Sequence, residues 1–283
     1  MDSGKASRTA ILTAAARAAH FQVHGGEPIF RDRFALALSG VRDAEALREA
    51  QQRWLPLDAR RVCAFFALRH RYSEDRLRLA LTRGVRQVIL LGAGLDSLAL
   101  REPRLVERIA LVEIDHPDTQ RWKLARLETL GLSAPGVVYV AVDFQREKLE
   151  QRLALAGVPL DVPTFVAWLG VTQYIGGGAL RETFSFVATR PPGSEIVFDP
   201  ILEPALLEPA ERVYSEIAAQ RSAAFGEPWI SYFEPEALER RLAEHGFREV
   251  ERLTPELAAA RYYGGQPQGV TPLHAWQMVS AVV

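Results

Sequence analysis

Apolar positions along this chain follow two alternating patterns. Short unbroken apolar runs end on glycine or an acid. Between them, apolar residues return every third or fourth position. Unbroken runs predict strands buried on both faces, and the longer spacing predicts helices with one buried stripe. The predicted strands are residues 87–91, 109–115, 136–143, 164–169, 194–199, 247–253 and 274–283. Helical spacing occupies 7–23, where Ile11, Leu12, Ala15, Ala18, Ala19 and Val23 return in register before Gly25-Gly26. It recurs in a short stretch opened by Asp32 and closed by Gly40, in a charged stretch at 43–53, and over 57–83. Further helices are predicted at 117–131, 179–189, 210–225 and 235–244. Strands alternating with helices predict an α/β fold with a doubly wound, seven-stranded sheet. We read residues 1–283 as a single domain in four parts. Residues 1–83 form an N-terminal helical cover, 84–200 the ligand-binding core, and 234–283 the last part of the sheet. Residues 200–233 break the alternation with Pro204, Pro209 and an extra helix, and they follow the fifth strand. That position predicts a helical lid or pocket wall at the ligand-binding edge, with Trp229, Tyr232 and Phe233 either an aromatic substrate wall or the packing of the lid onto the core.

The first strand-to-helix junction carries the chemistry. Gln87-Val88-Ile89-Leu90-Leu91 runs straight into Gly92-Ala93-Gly94. Two glycines permit a tight turn and a close backbone approach to a ligand. A helix over 95–101 would aim its first N–H groups at that ligand. About twenty residues later the second strand closes on Glu113-Ile114-Asp115, where an acid at the strand tip holds a ribose by its hydroxyls. Alternation puts Glu113 on the same side of the strand as Asp115. A nucleoside-containing cofactor is therefore expected. A dinucleotide would need a third glycine where this chain has Ser97, and Asp96 would repel a pyrophosphate. A cofactor with an ammonium and a sulfonium meets no such repulsion, so S-adenosylmethionine fits better.

Four segments extend this reading to a family. Residues 84–97 (GVRQVILLGAGLDS), Glu113-Ile114-Asp115-His116-Pro117, Val142-Asp143-Phe144 and Trp168-Leu169-Gly170-Val171-Thr172-Gln173-Tyr174-Ile175 occur in that order. Together they resemble the leucine carboxyl methyltransferase family, a group of class I S-adenosylmethionine-dependent methyltransferases with a Rossmann-like sheet. The likeness is greater to its bacterial branch, which includes carboxyl O-methyltransferases of tetracenomycin-type aromatic polyketide biosynthesis. It runs roughly from Ser7 to Pro200. The resemblance implies that Arg69 binds the cofactor's carboxylate, a task suited to a bidentate guanidinium. It places Asp143 at the adenine amine, with Phe144 packed on the ring; Asp143 also reads as a helix N-cap before Glu147 and Leu149. The expected cofactor set is Arg69, Gly92, Ala93, Gly94, Asp96, Glu113, Asp115, Asp143, Phe144 and Leu169. Leu169 stands where many relatives have an acid, which removes one polar contact. Trp168, Thr172, Gln173 and Tyr174 are expected where cofactor and substrate meet.

Composition narrows the function. The chain has 283 residues and a formal net charge of −1, with mixed signs. This gives no electrostatic footprint for nucleic acid or an anionic membrane. Cys63 is the sole cysteine, which excludes a disulfide framework and a cysteine-based metal site. His20 and His24 share a helix face, but no carboxylate motif accompanies them, so no metal is expected. There is no continuous apolar signal segment, and a cytoplasmic location is expected. The expected activity is methyl transfer to an oxygen, a carboxylate, of a small polyketide-like metabolite. A carboxylate is ionised at neutral pH and needs no base, whereas a phenol would be helped by one. The alternatives are a cofactor-binding protein without transfer, a protein C-terminal carboxyl methyltransferase, and a nicotinamide-dependent dehydrogenase.

Overall fold

The structure, a computed structural model, describes residues 7–54, 58–144 and 146–283. Residue 1, where the helical cover is expected to begin, and Leu57, where its long helix is, lie outside the described residues. The cover holds α1 (Arg8–Gln22), α2 (Ala35–Ser39), α3 (Ala44–Trp54) and α4 (Ala59–Thr82). The sheet region then runs β1 (Gln87–Leu91), α5 (Leu98–Arg101), α6 (Pro103–Val106), β2 (Ala110–Asp115), α7 (Pro117–Thr129), β3 (Val137–Ala141), α8 (Leu149–Leu155), β4 (Thr164–Trp168), α9 (Gly177–Ala188) and β5 (Glu195–Phe198). After it come α10 (Pro209–Ala224), α11 (Pro235–His245), β6 (Glu249–Leu253), α12 (Pro255–Tyr262) and β7 (Met278–Val282).

The strands form one seven-stranded sheet in the order β3-β2-β1-β4-β5-β7-β6. Pairings from β3 through β5 are parallel, and β7 lies antiparallel between β5 and β6. Strand alternation explains the unbroken apolar runs. Val88 and Leu90 of β1 join one core cluster with Leu68, Tyr72, Phe165 and Val197. Ile89 and Leu91 join the other with Val166, Trp168, Phe184 and Phe198. Each face of the sheet is thus covered, as a parallel sheet requires. α4 is fixed across the strand ends by charge as well as packing. Arg76 lies 2.5 Å from the fully buried Glu195 of β5, and Arg83 pairs with the same carboxylate.

Several boundaries differ from expectation. The helix expected over 95–101 is only the four-residue α5, because the Asp96 side chain accepts the Leu98 N–H (2.7 Å) and holds a turn there. Asp143 does not cap a helix: α8 begins at Leu149 after Lys148, and Asp143 instead donates its N–H to Glu147 (2.9 Å). The last strand starts at Met278, since Trp276 forms an isolated bridge to Ile201. α12 was not anticipated, although Thr254 caps it with Pro255 in the first turn. Among the described residues, no helix is long and apolar enough to cross a membrane.

Candidate functional site

A cavity of about 1010 Å³ opens at the C-terminal ends of β1, β2, β4 and β5, where α1 and α10 cover it. This is the crevice where strand order reverses between β1 and β4, the usual ligand position in such sheets. Its floor is the turn Gly92-Ala93-Gly94. Gly92 has φ +72°, and a Cβ there would sit 2.4 Å from Val171 Cγ2. The turn is internally saturated. The Gly92 and Ala93 N–H groups donate to the Ile114 carbonyl (2.8 and 2.9 Å), and the Asp96 N–H donates to the Ala93 carbonyl (2.9 Å). The Gly94 N–H donates to the Asp115 carboxylate, which also accepts the His116 N–H at 2.6 Å. Burial raises the Asp115 carboxyl above its ordinary range, against the pull of those two backbone donors.

Asp96 lies beside this turn and faces His70, with Oδ2 3.4 Å from His70 Nε2. Burial would raise the Asp96 carboxyl, but the His70 hydrogen bond and the Arg101 and Lys123 charges outweigh it and hold the group well below the usual carboxylate range. Burial, helped by Arg17, lowers His70 to about 4, so the imidazole is neutral near neutral pH. On the opposite wall, Arg69 donates to Asp199 (3.0 Å), and Asp199 also accepts the Gly170 N–H (2.6 Å). Burial raises the Asp199 carboxyl despite both partners. Gly170 (φ +71°) is a cradle for this arginine, because a Cβ there would lie 2.6 Å from Arg69 Nη1. Arg69 Nε is buried without a hydrogen-bond partner.

The cavity collects most of the residues expected from sequence. Arg69, Gly92, Ala93, Gly94, Asp96, Asp115, Asp143, Phe144, Leu169, Gln173 and Tyr174 all line it. Glu113 does not. Its buried carboxylate lies 2.5 Å from Lys123 Nζ of α7, so the alternation that set it beside Asp115 turns it into a buried ion pair. Trp168 is also placed elsewhere, packed against Phe184 and Phe198 in the core (ring centroids 5.8 and 6.2 Å). Thr172 is fully buried and donates to the Asp199 carbonyl (3.2 Å). Of the lid aromatics, Trp229 lines the cavity, Phe233 joins the core, and Tyr232 meets Trp229 edge-on at 6.4 Å. His20 accepts the Ile29 N–H (3.0 Å) and His24 pairs with Gln51, so the helical histidine pair is spent on structure. Among the described residues, no group of three His, Cys, Asp or Glu side chains could hold a metal.

Three residues at the cavity escaped the sequence reading. Arg17 of α1 donates to the Leu95 carbonyl (2.7 Å) and to the buried Asp32 (2.9 Å). It joins the helical cover to the glycine turn. Its signal was an arginine flanked on both sides by alanines, Ala14-Ala15-Ala16-Arg17-Ala18-Ala19. His70 and Asp199 were legible only as a helix residue and a strand end.

A parallel sheet with its last hairpin antiparallel, and a nucleoside-type crevice with acids at the tips of adjacent strands, define the methyltransferase class of α/β fold. Two solved structures have this fold throughout: a DUF574 family protein from Streptomyces avermitilis and a methyltransferase, so titled by proposal, from Thermobifida fusca. Each has a TM-score of 0.61, with 15% and 16% identity, and the alignments cover 98% and 99% of this chain and 97% and 96% of theirs. Residues 10–188 match the leucine carboxyl methyltransferase family. The chain belongs to that family. The proposed S-adenosyl-L-methionine-dependent methyltransferase YktD of Bacillus subtilis is 30% identical over 216 residues, 75% of this chain and 70% of its own length. A similarly named protein of Mycobacterium tuberculosis is 34% identical over 203 residues, 68% of this chain and 63% of its own. The chain thus spans less than two thirds of that mycobacterial relative.

Proposed function

We propose that this protein transfers a methyl group from S-adenosyl-L-methionine to an oxygen, a carboxylate, of a small polyketide-like metabolite. The observation that carries the cofactor is the saturated glycine turn. Its N–H groups are already bonded within the protein and an anionic Asp96 stands beside them, so a pyrophosphate finds neither donors nor positive potential there. A ligand with a cationic amino-acid end suits that corner. Asp115 offers carboxylate oxygen for ribose hydroxyls, Asp143 and Phe144 flank the adenine side, and Arg69 offers its unpartnered Nε to the ligand's carboxylate. When bound, the cofactor supplies a methyl group on a cationic sulfonium, activated for displacement.

The protein's contribution is then placement and exclusion of water. α1 and α10 close over the sheet edge, and Thr9 of α1 donates to Glu227 beyond α10, joining the two covers. The acceptor chemistry follows from the histidines. Both that line the cavity are engaged: His70 lies between the Phe66 carbonyl (3.1 Å) and Asp96, and His116 caps α7 by accepting the Asp118 N–H (3.3 Å). With both histidines already hydrogen-bonded within the protein, an acceptor ionised at neutral pH, which needs no base, is favoured. The volume, near the upper end of the ~300–1,000 Å³ usual for small-ligand sites, suits a cofactor with a small acceptor.

The test begins with calorimetric titration of S-adenosylmethionine, S-adenosylhomocysteine and NAD. Binding of the first two alone supports the cofactor; binding of NAD alone overturns it. Methylated product from an acceptor screen is then treated with alkali. Release of methanol marks an ester, while an alkali-stable product would replace the carboxylate by a hydroxyl. Cofactor binding with no product from any small acceptor, or methylation of a peptide C-terminus instead, would overturn the small-metabolite reading.

A further inference from the structure

The part of the cavity under α10 differs from the part over the glycine turn. Its walls are aromatic: Phe66, Tyr174, Tyr214, Phe225, Trp229 and Trp276 all line it. Trp276 is the hub, with Tyr214 edge-on at 5.6 Å and Trp229 perpendicular at 5.8 Å. Aromatic walls offer a ligand ring-to-ring contacts worth more than area burial alone, which a saturated, puckered ligand cannot make.

Two polar atoms in these walls have no partner. Gln173 is 6% exposed, and its Oε1 is buried without a hydrogen bond. Trp229 Nε1 is likewise buried and unpaired. The two belong together, because the Gln173 carbonyl accepts the N–H groups of Ile230 (2.7 Å) and Ser231 (3.2 Å), which seats the Trp229 segment beside Gln173. Buried polar atoms are nearly always satisfied, so an unpaired acceptor and an unpaired donor on two cavity-lining residues point to a ligand that completes them. One is a pure acceptor and the other a pure donor.

We infer that Gln173 and Trp229 are the specificity-determining pair for the methyl acceptor, which is a flat aromatic compound bearing a hydroxyl for Gln173 Oε1 and an oxygen acceptor for Trp229 Nε1. The inference rests on the methyltransferase reading for the word acceptor, but the pair would select such a ligand in any case. The wall holds the ring by stacking and edge contacts. The pair fixes its rotation in the plane, and so determines which oxygen is turned toward the glycine turn. Gln173 and Trp229 are positioning residues in this scheme and move no proton.

The test uses the whole protein with four probes: hydroxynaphthoate, naphthoate, naphthol and the saturated decalin carboxylate. Affinities are measured by calorimetry with and without S-adenosylhomocysteine, for the wild type, Gln173→Leu and Trp229→Phe. Hydroxynaphthoate should bind about tenfold more tightly than either probe lacking one oxygen group, and decalin carboxylate should bind weakest. Gln173→Leu should abolish the advantage over naphthoate alone, and Trp229→Phe the advantage over naphthol alone. Gln173→Leu should leave the thermal midpoint of the ligand-free protein unchanged, because Oε1 has no partner, and Trp229→Phe should lower it only by the ring area lost against Trp276 and Tyr232. A drop in midpoint together with equal losses for all probes would mean a structural role and would overturn the inference. So would equal binding of all four probes, or a preference unchanged in both variants. Failure of S-adenosylhomocysteine to bind would sink the methyltransferase reading, while probe selectivity in the ligand-free protein would still decide the role of the pair.

Discussion

Arg69 sits where stability and ligand binding separate most cleanly. It lines the cavity, is buried with Asp199, and has an Nε without a hydrogen-bond partner. Arg69→Met leaves the Asp199 carboxylate buried with the Gly170 N–H and no counter-charge. Removing one partner of a buried pair costs about 3–5 kcal/mol, equivalent to roughly 6–20 °C in midpoint for a domain of this size. The same change removes a charge-assisted contact worth about 1.5–3 kcal/mol to a ligand carboxylate, a roughly 10- to 150-fold loss of affinity. Asp199→Asn is the informative contrast. Its amide oxygen still accepts the Gly170 N–H, but it frees the guanidinium of its counter-charge. Stability should fall, while affinity for a carboxylate ligand should hold or rise. The assay pairs thermal unfolding with calorimetry on two ligands, S-adenosylhomocysteine and methylthioadenosine, which lacks the amino-acid end. Arg69→Met should weaken the first and spare the second. Equal losses for both would show that Arg69 only supports the wall, and unchanged midpoints would refute the energetics of the buried pair.

Gly92→Ala places a Cβ 2.4 Å from Val171 Cγ2 at a positive φ, a strain of about 1–2 kcal/mol before the clash is counted. It should abolish S-adenosylhomocysteine binding by calorimetry, with partial recovery in Gly92→Ala/Val171→Ala. Glu113→Gln leaves Lys123 buried and unpaired, so the midpoint should drop by a shift equivalent to about 3–5 kcal/mol. Its affinity for S-adenosylhomocysteine should be unchanged, because Glu113 does not line the cavity; a selective loss of affinity would return it to the ribose. Asp115 gives a pH signature of opposite signs. Burial raises its carboxyl in the free protein. Protonation as pH falls through that raised value therefore stabilises the ligand-free fold relative to the unfolded chain, but removes the acceptor for ribose hydroxyls. Compared with Asp115→Asn, the wild type should gain stability and lose nucleoside affinity over the same acid range, beginning above pH ~3.9. Loss of both together would contradict the assignment.

The fold was legible because both faces of the sheet are buried, which writes each central strand as an unbroken apolar run. β1 and β4 show this plainly, with every residue buried. Lengths were less legible where side chains rather than periodicity end an element. Asp96 shortens the helix after β1 by taking the Leu98 N–H, and Trp276 diverts the start of the last strand. In the site, backbone-driven positions were readable, since only glycine suits φ +72° beside Val171 and only a strand tip offers Asp115 to the crevice. Side-chain direction was not. Glu113 and Asp115 share a strand face, yet the lysine one helix away claims Glu113 and leaves Asp115 to the cavity. Trp168 and Thr172 lie on the strand and turn that approach the crevice, but their side chains pack behind it. No local pattern states which neighbour in space will take up a carboxylate or a ring.

Two acids and two arginines that line the cavity have an order that bears on how a ligand is seated. Asp115 and Asp143 stand at the ends of β2 and β3, on one side of the turn. Arg69, with Arg17 behind the turn, stands toward β4 and β5 on the other. A molecule with hydroxyls at one end and a carboxylate at the other is favoured in one orientation and opposed in the reverse one, since reversal sets carboxylate against carboxylate. Arg17 also spans the cover and the core, so the orientation depends on α1 being in place. The cover is therefore expected to belong to the cofactor site, and its loss should cost binding even with every residue of the sheet intact.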